Sequence, residues 1–348
     1  MTVSKEREST FELIRLIAMF MIVLYHIYFL TITPIYDSSF NRAIWIPLHI
    51  GVPLFVLISG YFGIRVSGRG LAKLLGQMLV YTAVFLIIYY YLTNTGGGIR
   101  NIIRTFMLVS NSPRWFMRTY ICLYLFSPVI NSYLKDITPK QRLYIIFILL
   151  FISVYIGTFG DDPSLSGGKN LVHFILLYIV GNTLRVYENI WRKISLRKLI
   201  IAYVLLNVLL VTGYCFFDGT FISHKIFNWS FPYSSPIILL NSILFFIIIA
   251  KNRFQSKLVN YLAASTLGIY LLHCSSLVKF YTWIPASLWI KSFIPNDYVS
   301  FCALAVLALA VVFACIFIDK LFTPLWGWFQ RVGEKAEIKI VSFVNQHV

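Results

Sequence analysis

Two residues in the first apolar stretch could do chemistry together. Arg15 and His26 are separated by eleven positions, which at 100° per residue is three turns plus about 20°. On a helix they share one face, about 16 Å apart along the axis. Glu12 lies three residues before Arg15 on that face, where it could orient or partly neutralise the guanidinium. Ser9 and Glu12 have the spacing of a capping box that would start the helix. A histidine in an apolar setting can act as general base or as nucleophile, and an arginine can hold an anionic group by forked donation. Snorkelling of Arg15 and a helix-to-helix hydrogen bond from His26 are the structural alternatives. The other polar groups in apolar runs are His273 with Tyr270 three residues earlier, Ser59 beside Gly60, and Arg118 with Tyr120 and Tyr124. His273 could orient His26 or bind an acceptor. Ser59 and Gly60 allow close approach of a helix or a ligand. Arg118 and Tyr124 are placed near the outer mouth, for glycan contact or for snorkelling to headgroups. His49 and His173 are read as helix-to-helix hydrogen bonders.

The elements that must position these groups follow from composition. The chain has 348 residues, 59% hydrophobic and only 12% charged, with a mean hydropathy of +0.77. A soluble domain needs more charge than that, and disorder needs less hydrophobicity. The bilayer is the remaining solvent, and the expected fold is all-α, integral to the membrane, with about ten transmembrane helices. They are expected near 12–33, 44–63, 71–93, 115–134, 143–159, 171–187, 199–217, 234–250, 261–280 and 298–318. Breaks at Gly96-Gly97-Gly98, Asp161-Asp162-Pro163, Gly167-Gly168, Pro232 and Pro236 separate them. The short two-faced segment Ile99 to Val109 reads as an interfacial helix. Residues 1–320 form one polytopic domain, and 321–348 an amphipathic tail along the cytoplasmic face.

The net charge of +17 would point to nucleic acid in a soluble protein. Sorted by loop it sets orientation. With the N-terminus in the cytoplasm, twenty of the thirty basic residues fall on the cytoplasmic side and eight on the other. Ten spans with both termini inside satisfy the positive-inside rule, and no nucleic-acid partner is needed. Glu12 sits at the mouth of the first span and Asp319 at the end of the tenth, so a buried coupling acid of the kind carriers use is missing. Cys122, Cys215, Cys274, Cys302 and Cys315 lie in apolar runs and are read as small buried hydrophobes. The absence of HExxH, CxxC and carboxylate clusters leaves no metal site expected.

The stretch FELIRLIAMFMIVLYH, Phe11 to His26, resembles the first span of the membrane acyltransferase-3 family, the O-acyltransferases of bacterial surface glycans. Gly51 to Arg65, Trp115 to Asn131 and Ser265 to His273 resemble further stretches of that family, in family order. The resemblance implies a bacterial cytoplasmic-membrane enzyme moving an acyl group, usually acetyl, from an acyl-CoA to a hydroxyl. The acceptor would be a surface polysaccharide or its lipid-linked precursor. It implies acetyl-CoA as donor cosubstrate, with no tightly bound cofactor, and a functional pair at Arg15 and His26. Two departures stand out. Some relatives carry a soluble esterase-like domain after the spans, which is not seen here, and the usual tight basic pair after the Ser-Gly stretch is spread over Arg65 and Arg69. On this reading donor phosphates sit near Arg65, Arg69 and Lys73, pantetheine passes Arg15, and the thioester reaches His26. A glycan or lipid carrier, or a non-catalytic part of a glycan-export assembly, are the readings from other classes. Oligomeric state is not legible.

Overall fold

The computed structural model describes residues 8–29, 39–93, 115–160, 162–216 and 232–347, with isolated positions 103, 107 and 229. Of the sequence features above, Gly96-Gly97-Gly98, the segment 99–109 (apart from 103 and 107) and Asp161 lie outside them. The described residues are helical, without a strand, and each of the ten expected spans has a helical counterpart. Helix α1 is Ser9–Phe29, α2 Ser39–His49, α3 Gly51–Phe62 and α4 Gly68–Thr93. Helix α5 is Trp115–Asp136, α6 Pro139–Leu150, α7 Leu171–Val186, α8 Leu196–Phe216 and α9 Pro236–Ala250. The ninth span is split into α10, Lys257–Ala263, and α11, Thr266–His273, followed by α12, Ile284–Phe293; α13 is Asp297–Leu321 and α14 Thr323–His347.

The chain is a multi-pass membrane protein. Six helical stretches among the described residues are each long and apolar enough to cross a bilayer, or seven with the bent ninth span. The difference from ten has local causes. Helices α7 and α9 have only 16 and 15 residues, and α5 carries Arg118, Asn131, Lys135 and Asp136. The ninth span is not one straight helix, since its halves Lys257–His273 and Ser276–Phe293 meet at 74°. Its break falls at Cys274 and Ser275, where Ser275 leaves the helical region at φ −65° and ψ 135°.

Helix α1 lies at the centre, against α2, α3, α9, α10, α11 and α13. It starts at Ser9 as expected, but not through a capping box. The Ser9 hydroxyl bonds Asn260, Gln255 and the Ser256 carbonyl, and that of Thr10 bonds the Asn252 carbonyl. The capping box occurs instead at α6, where Thr138 and Gln141 bond reciprocally. Helices α3 and α7 approach each other closely. A Cβ on Gly60 would collide with the Tyr178 carbonyl, and one on Gly181 with that of Leu57, so small residues here serve backbone approach. Helices α4, α6, α8 and α13 carry exposed apolar side chains, including Leu143, Phe147, Leu209, Phe313 and Phe317, the face a lipid solvent covers.

The tail helix α14 packs along the first half of α4. Gly333 meets Gly68, Phe329 meets Gly76, and the Gly68 amide donates to Glu337 at 2.8 Å. Asp319 pins the same region, because its Oδ1 accepts from Tyr81 at 2.7 Å, Gln77 at 3.2 Å and Trp326 at 3.2 Å. A buried carboxylate is tolerable only with such donors. The start of α1, the 63–67 loop, the 187–195 and 251–256 connections and α14 at Glu337 gather at one end of the molecule.

Candidate active site

At that end lies an open pocket of about 670 Å³, lined by Glu8, Phe11, Glu12, Arg15, Tyr61, Phe62, Gly63, Arg65, Asn182 and Arg185. Glu12 is 4% exposed and its Oε1 accepts from Arg15 Nη1 at 2.5 Å. The guanidinium is thereby held toward the pocket by a neighbour on its own helix face. Arg65 sits on the 63–67 loop, which Gly63 opens at φ +74°. Side chains of α5 and α7 brace the loop. Tyr178 Oη accepts from the Ile64 amide at 2.7 Å and Asn131 Nδ2 donates to the Ile64 carbonyl at 2.8 Å. Tyr124 Oη accepts from the Ser67 amide at 3.2 Å.

Behind the pocket Glu188 fastens the end of α3 to the 187–195 and 251–256 connections. It accepts from Tyr61 at 2.6 Å, and from Arg192 and Arg253 at 2.7 Å each. Burial pushes its carboxyl up. Hydrogen bonds from Tyr61 and Arg192, with the charges of Arg192 and Arg185, outweigh that and hold it below its ordinary value.

Deeper along α1, His26 faces His273. Their Nδ1 and Nε2 are 3.0 Å apart. The ring centroids are 5.2 Å apart, nearly the longest separation such a contact permits, so the two nitrogens meet almost in line. His273 Nδ1 lies 2.7 Å from the Ile269 carbonyl. A carbonyl only accepts, so neutral His273 carries its proton on Nδ1 and presents a lone pair at Nε2. His26 then donates from Nδ1, and its Nε2 keeps the free lone pair. Trp283 Nε1 donates to the His273 carbonyl at 3.2 Å and holds the end of α11. His26 lines a cavity of about 30 Å³, room for a water or two, with Ile22, Tyr25, Leu48, His49, Val52, Trp115, Phe116, Tyr233 and Tyr270.

The sequence-derived residues thus fall into separate places. Glu12, Arg15 and Arg65 line the mouth, and His26 and Tyr270 line the inner cavity, with His273 behind His26. Arg69 and Lys73, on the first turns of α4, do not line the mouth. Ser59 bonds the Phe55 carbonyl at 2.8 Å and meets Tyr120 at 3.2 Å. Arg118 is exposed and lines neither cavity. The expectation that Tyr124 sits with Arg118 at the outer mouth is corrected, since its hydroxyl is tied to the loop that carries Arg65. Arg185, Asn182, His49 and Tyr233 were missed as site residues because nothing in sequence places them beside α1.

The reading of every cysteine as a buried hydrophobe also needs correction, because Cys122 and Cys302 are exposed. Cys274 Sγ lies 3.3 Å from His273 Nε2 and 3.9 Å from His26 Nδ1. Its adjacency to His273 was the available signal. Among the described residues His26, His273 and Cys274 also form a group of metal-ligating types, with ligand atoms within 4.8 Å of one another. A shared ion would turn both imidazoles toward one point and shorten the centroid distance. The in-line pair fits a hydrogen bond better.

Apolar helices around the His26–His273 pair, with a basic mouth at one end, describe a membrane protein whose site suits a polar, anionic ligand. The family comparison makes the class definite: the model of the acyltransferase-3 family, described as an acyltransferase domain, matches residues 9–319. The chain belongs to this family and is a membrane acyltransferase. Among curated proteins and solved structures, none matches the chain.

Proposed function

We propose that this protein is an acetyl-CoA-dependent O-acetyltransferase of the bacterial cytoplasmic membrane, acting on a hydroxyl of a surface polysaccharide or its lipid-linked precursor. The observation that carries the reading is the in-line His26–His273 pair, which leaves a lone pair on His26 Nε2. It lies on the same helix as the Glu12–Arg15 pair in the mouth. The roughly 16 Å between Arg15 and His26 is on the scale of the arm that separates the nucleotide of CoA from its thioester. Arg15, Arg65 and Arg185 converge on the mouth and suit phosphates.

In this mechanism His26 Nε2 takes the proton of the acceptor hydroxyl as its oxygen attacks the acetyl carbonyl. The carbon–sulfur bond breaks, and the CoA thiolate takes that proton from the imidazolium. His273 positions His26 and stabilises the imidazolium through Nε2. The apolar walls limit hydrolysis of the thioester. Membership in a transferase family favours this reading over a carrier. His26→Ala is expected to lower O-acetyl content of the surface polysaccharide, read as loss of the acetyl mass increment, by at least about 100-fold. Binding of CoA to the purified variant should persist. Undiminished acetylation in that variant would sink the assignment.

A further inference from the structure

The histidine pair has a third member. Cys274 forms the end of α11 at the break in the ninth span. Its Sγ approaches His273 Nε2 at 3.3 Å, and His273 Nε2 meets His26 Nδ1 at 3.0 Å. We propose that Cys274 is a catalytic nucleophile that carries the acyl group between donor and acceptor, so that transfer proceeds in two steps. The inference rests on the proposed acetyl-CoA chemistry and adds a covalent intermediate to it.

In the first step Cys274 Sγ gives its proton to His273 Nε2, whose Nδ1–H is held by the Ile269 carbonyl, and attacks the acetyl carbonyl. The bond to the CoA sulfur breaks and CoA leaves as the thiolate. One thioester replaces another, so no oxidant or reductant is needed and the acyl group stays activated. His26 keeps its proton on Nδ1 and its lone pair on Nε2. In the second step that lone pair takes the acceptor's hydroxyl proton as the oxygen attacks acetyl-Cys274. The His273 imidazolium returns its proton to the cysteine sulfur, the His26 imidazolium gives the acceptor's proton to the CoA thiolate, and the starting thiol and tautomers are restored.

One further feature supports the two-step transfer. A thiol is far easier to deprotonate than a sugar hydroxyl, so the neighbouring imidazole suffices to activate it.

The test is isotope exchange with purified full-length protein and no acceptor. Labelled CoA is mixed with unlabelled acetyl-CoA, and label entering acetyl-CoA is followed. The wild type is expected to exchange. Cys274→Ala should lose exchange by at least about 100-fold while still binding CoA. Cys274→Ser tests the position without removing a nucleophile: it should accumulate acetyl as an oxygen ester at that position, resistant to neutral hydroxylamine, whereas acetyl on wild-type Cys274 should be released. Two results would overturn the inference while leaving the acetyltransferase reading intact. One is exchange at the wild-type rate in Cys274→Ala. The other is wild-type acetylation of polysaccharide in cells without any exchange by the purified protein. Failure of the wild type to bind acetyl-CoA, with no acetylation in cells, would remove the parent reading and this step with it.

Discussion

Arg185 and Arg69 differ only in where the fold puts them. Both are arginines near the same end of the molecule, yet Arg185 lines the 670 Å³ mouth and Arg69 does not. Phosphate is held by guanidinium groups that converge on it, so charge outside the pocket contributes weakly and is screened. Arg185→Ala is therefore expected to raise KM for acetyl-CoA about 10-fold with kcat little changed, and Arg69→Ala to change KM less than about 2-fold. Steady-state kinetics against acetyl-CoA reads both, and equal effects would move the donor site. At this scale the sequence showed what lies on one helix. Arg15 with Glu12, and the shared face of Arg15 and His26, follow from helical spacing alone. The partner of His26 is 247 positions away, and the role of Cys274 depends on that meeting. Spacing rules carry no information across such a distance.

Helices meet here through a few close approaches, and these set what each element can tolerate. Gly60 and Gly181 face backbone carbonyls of the opposite helix, whereas a Cβ on Gly213 in α8 meets nothing within 4 Å. Gly60→Ala is expected to lower the melting temperature in detergent by several degrees, because α3 and α7 cannot both stay in place. Gly213→Ala should leave it unchanged or slightly higher through helix propensity. The connections between elements respond to pH instead. The carboxyl of Glu188 is held below its ordinary value by Tyr61, Arg192 and Arg185 against the opposing effect of burial. Its contribution is present above the unfolded-state value, about 4.3, and is lost as pH falls through the depressed native value. Melting temperature should stay level between pH 7 and about 5, then fall toward pH 4 and below as Glu188 protonates. Glu188→Gln should start lower at neutral pH and lose this part of the acid sensitivity. A parallel pH curve in the variant would assign the fall to other groups. The element boundaries were largely legible, since long apolar runs become helices wherever backbone groups must be satisfied without water. The bend at Cys274 and Ser275 was not, because STLGIYLLHCSSLVKF continues the apolar pattern through it.

The whole molecule has two unlike ends, and its orientation decides how a charged donor reaches a buried histidine. The start of α1, the loop with Arg65, the connections holding Glu188 and Arg253, and α14 at Glu337 share one end. These segments carry Arg65, Arg192, Lys193, Lys251 and Arg253, and basic loops stay on the cytoplasmic side. The mouth is at this end, so with this end in the cytoplasm the proposed donor would reach Arg15 without crossing the bilayer, and only the acyl group would travel inward along α1 to His26. If this orientation holds, a fluorescent protein fused after Val348 will fold and fluoresce, and alkaline phosphatase fused there will be inactive. Fusions after Gly168, between the fifth and sixth expected spans, should give the reverse pattern. The opposite result at both positions would put the mouth outside, away from any CoA, and would contradict the donor path and the proposed chemistry together.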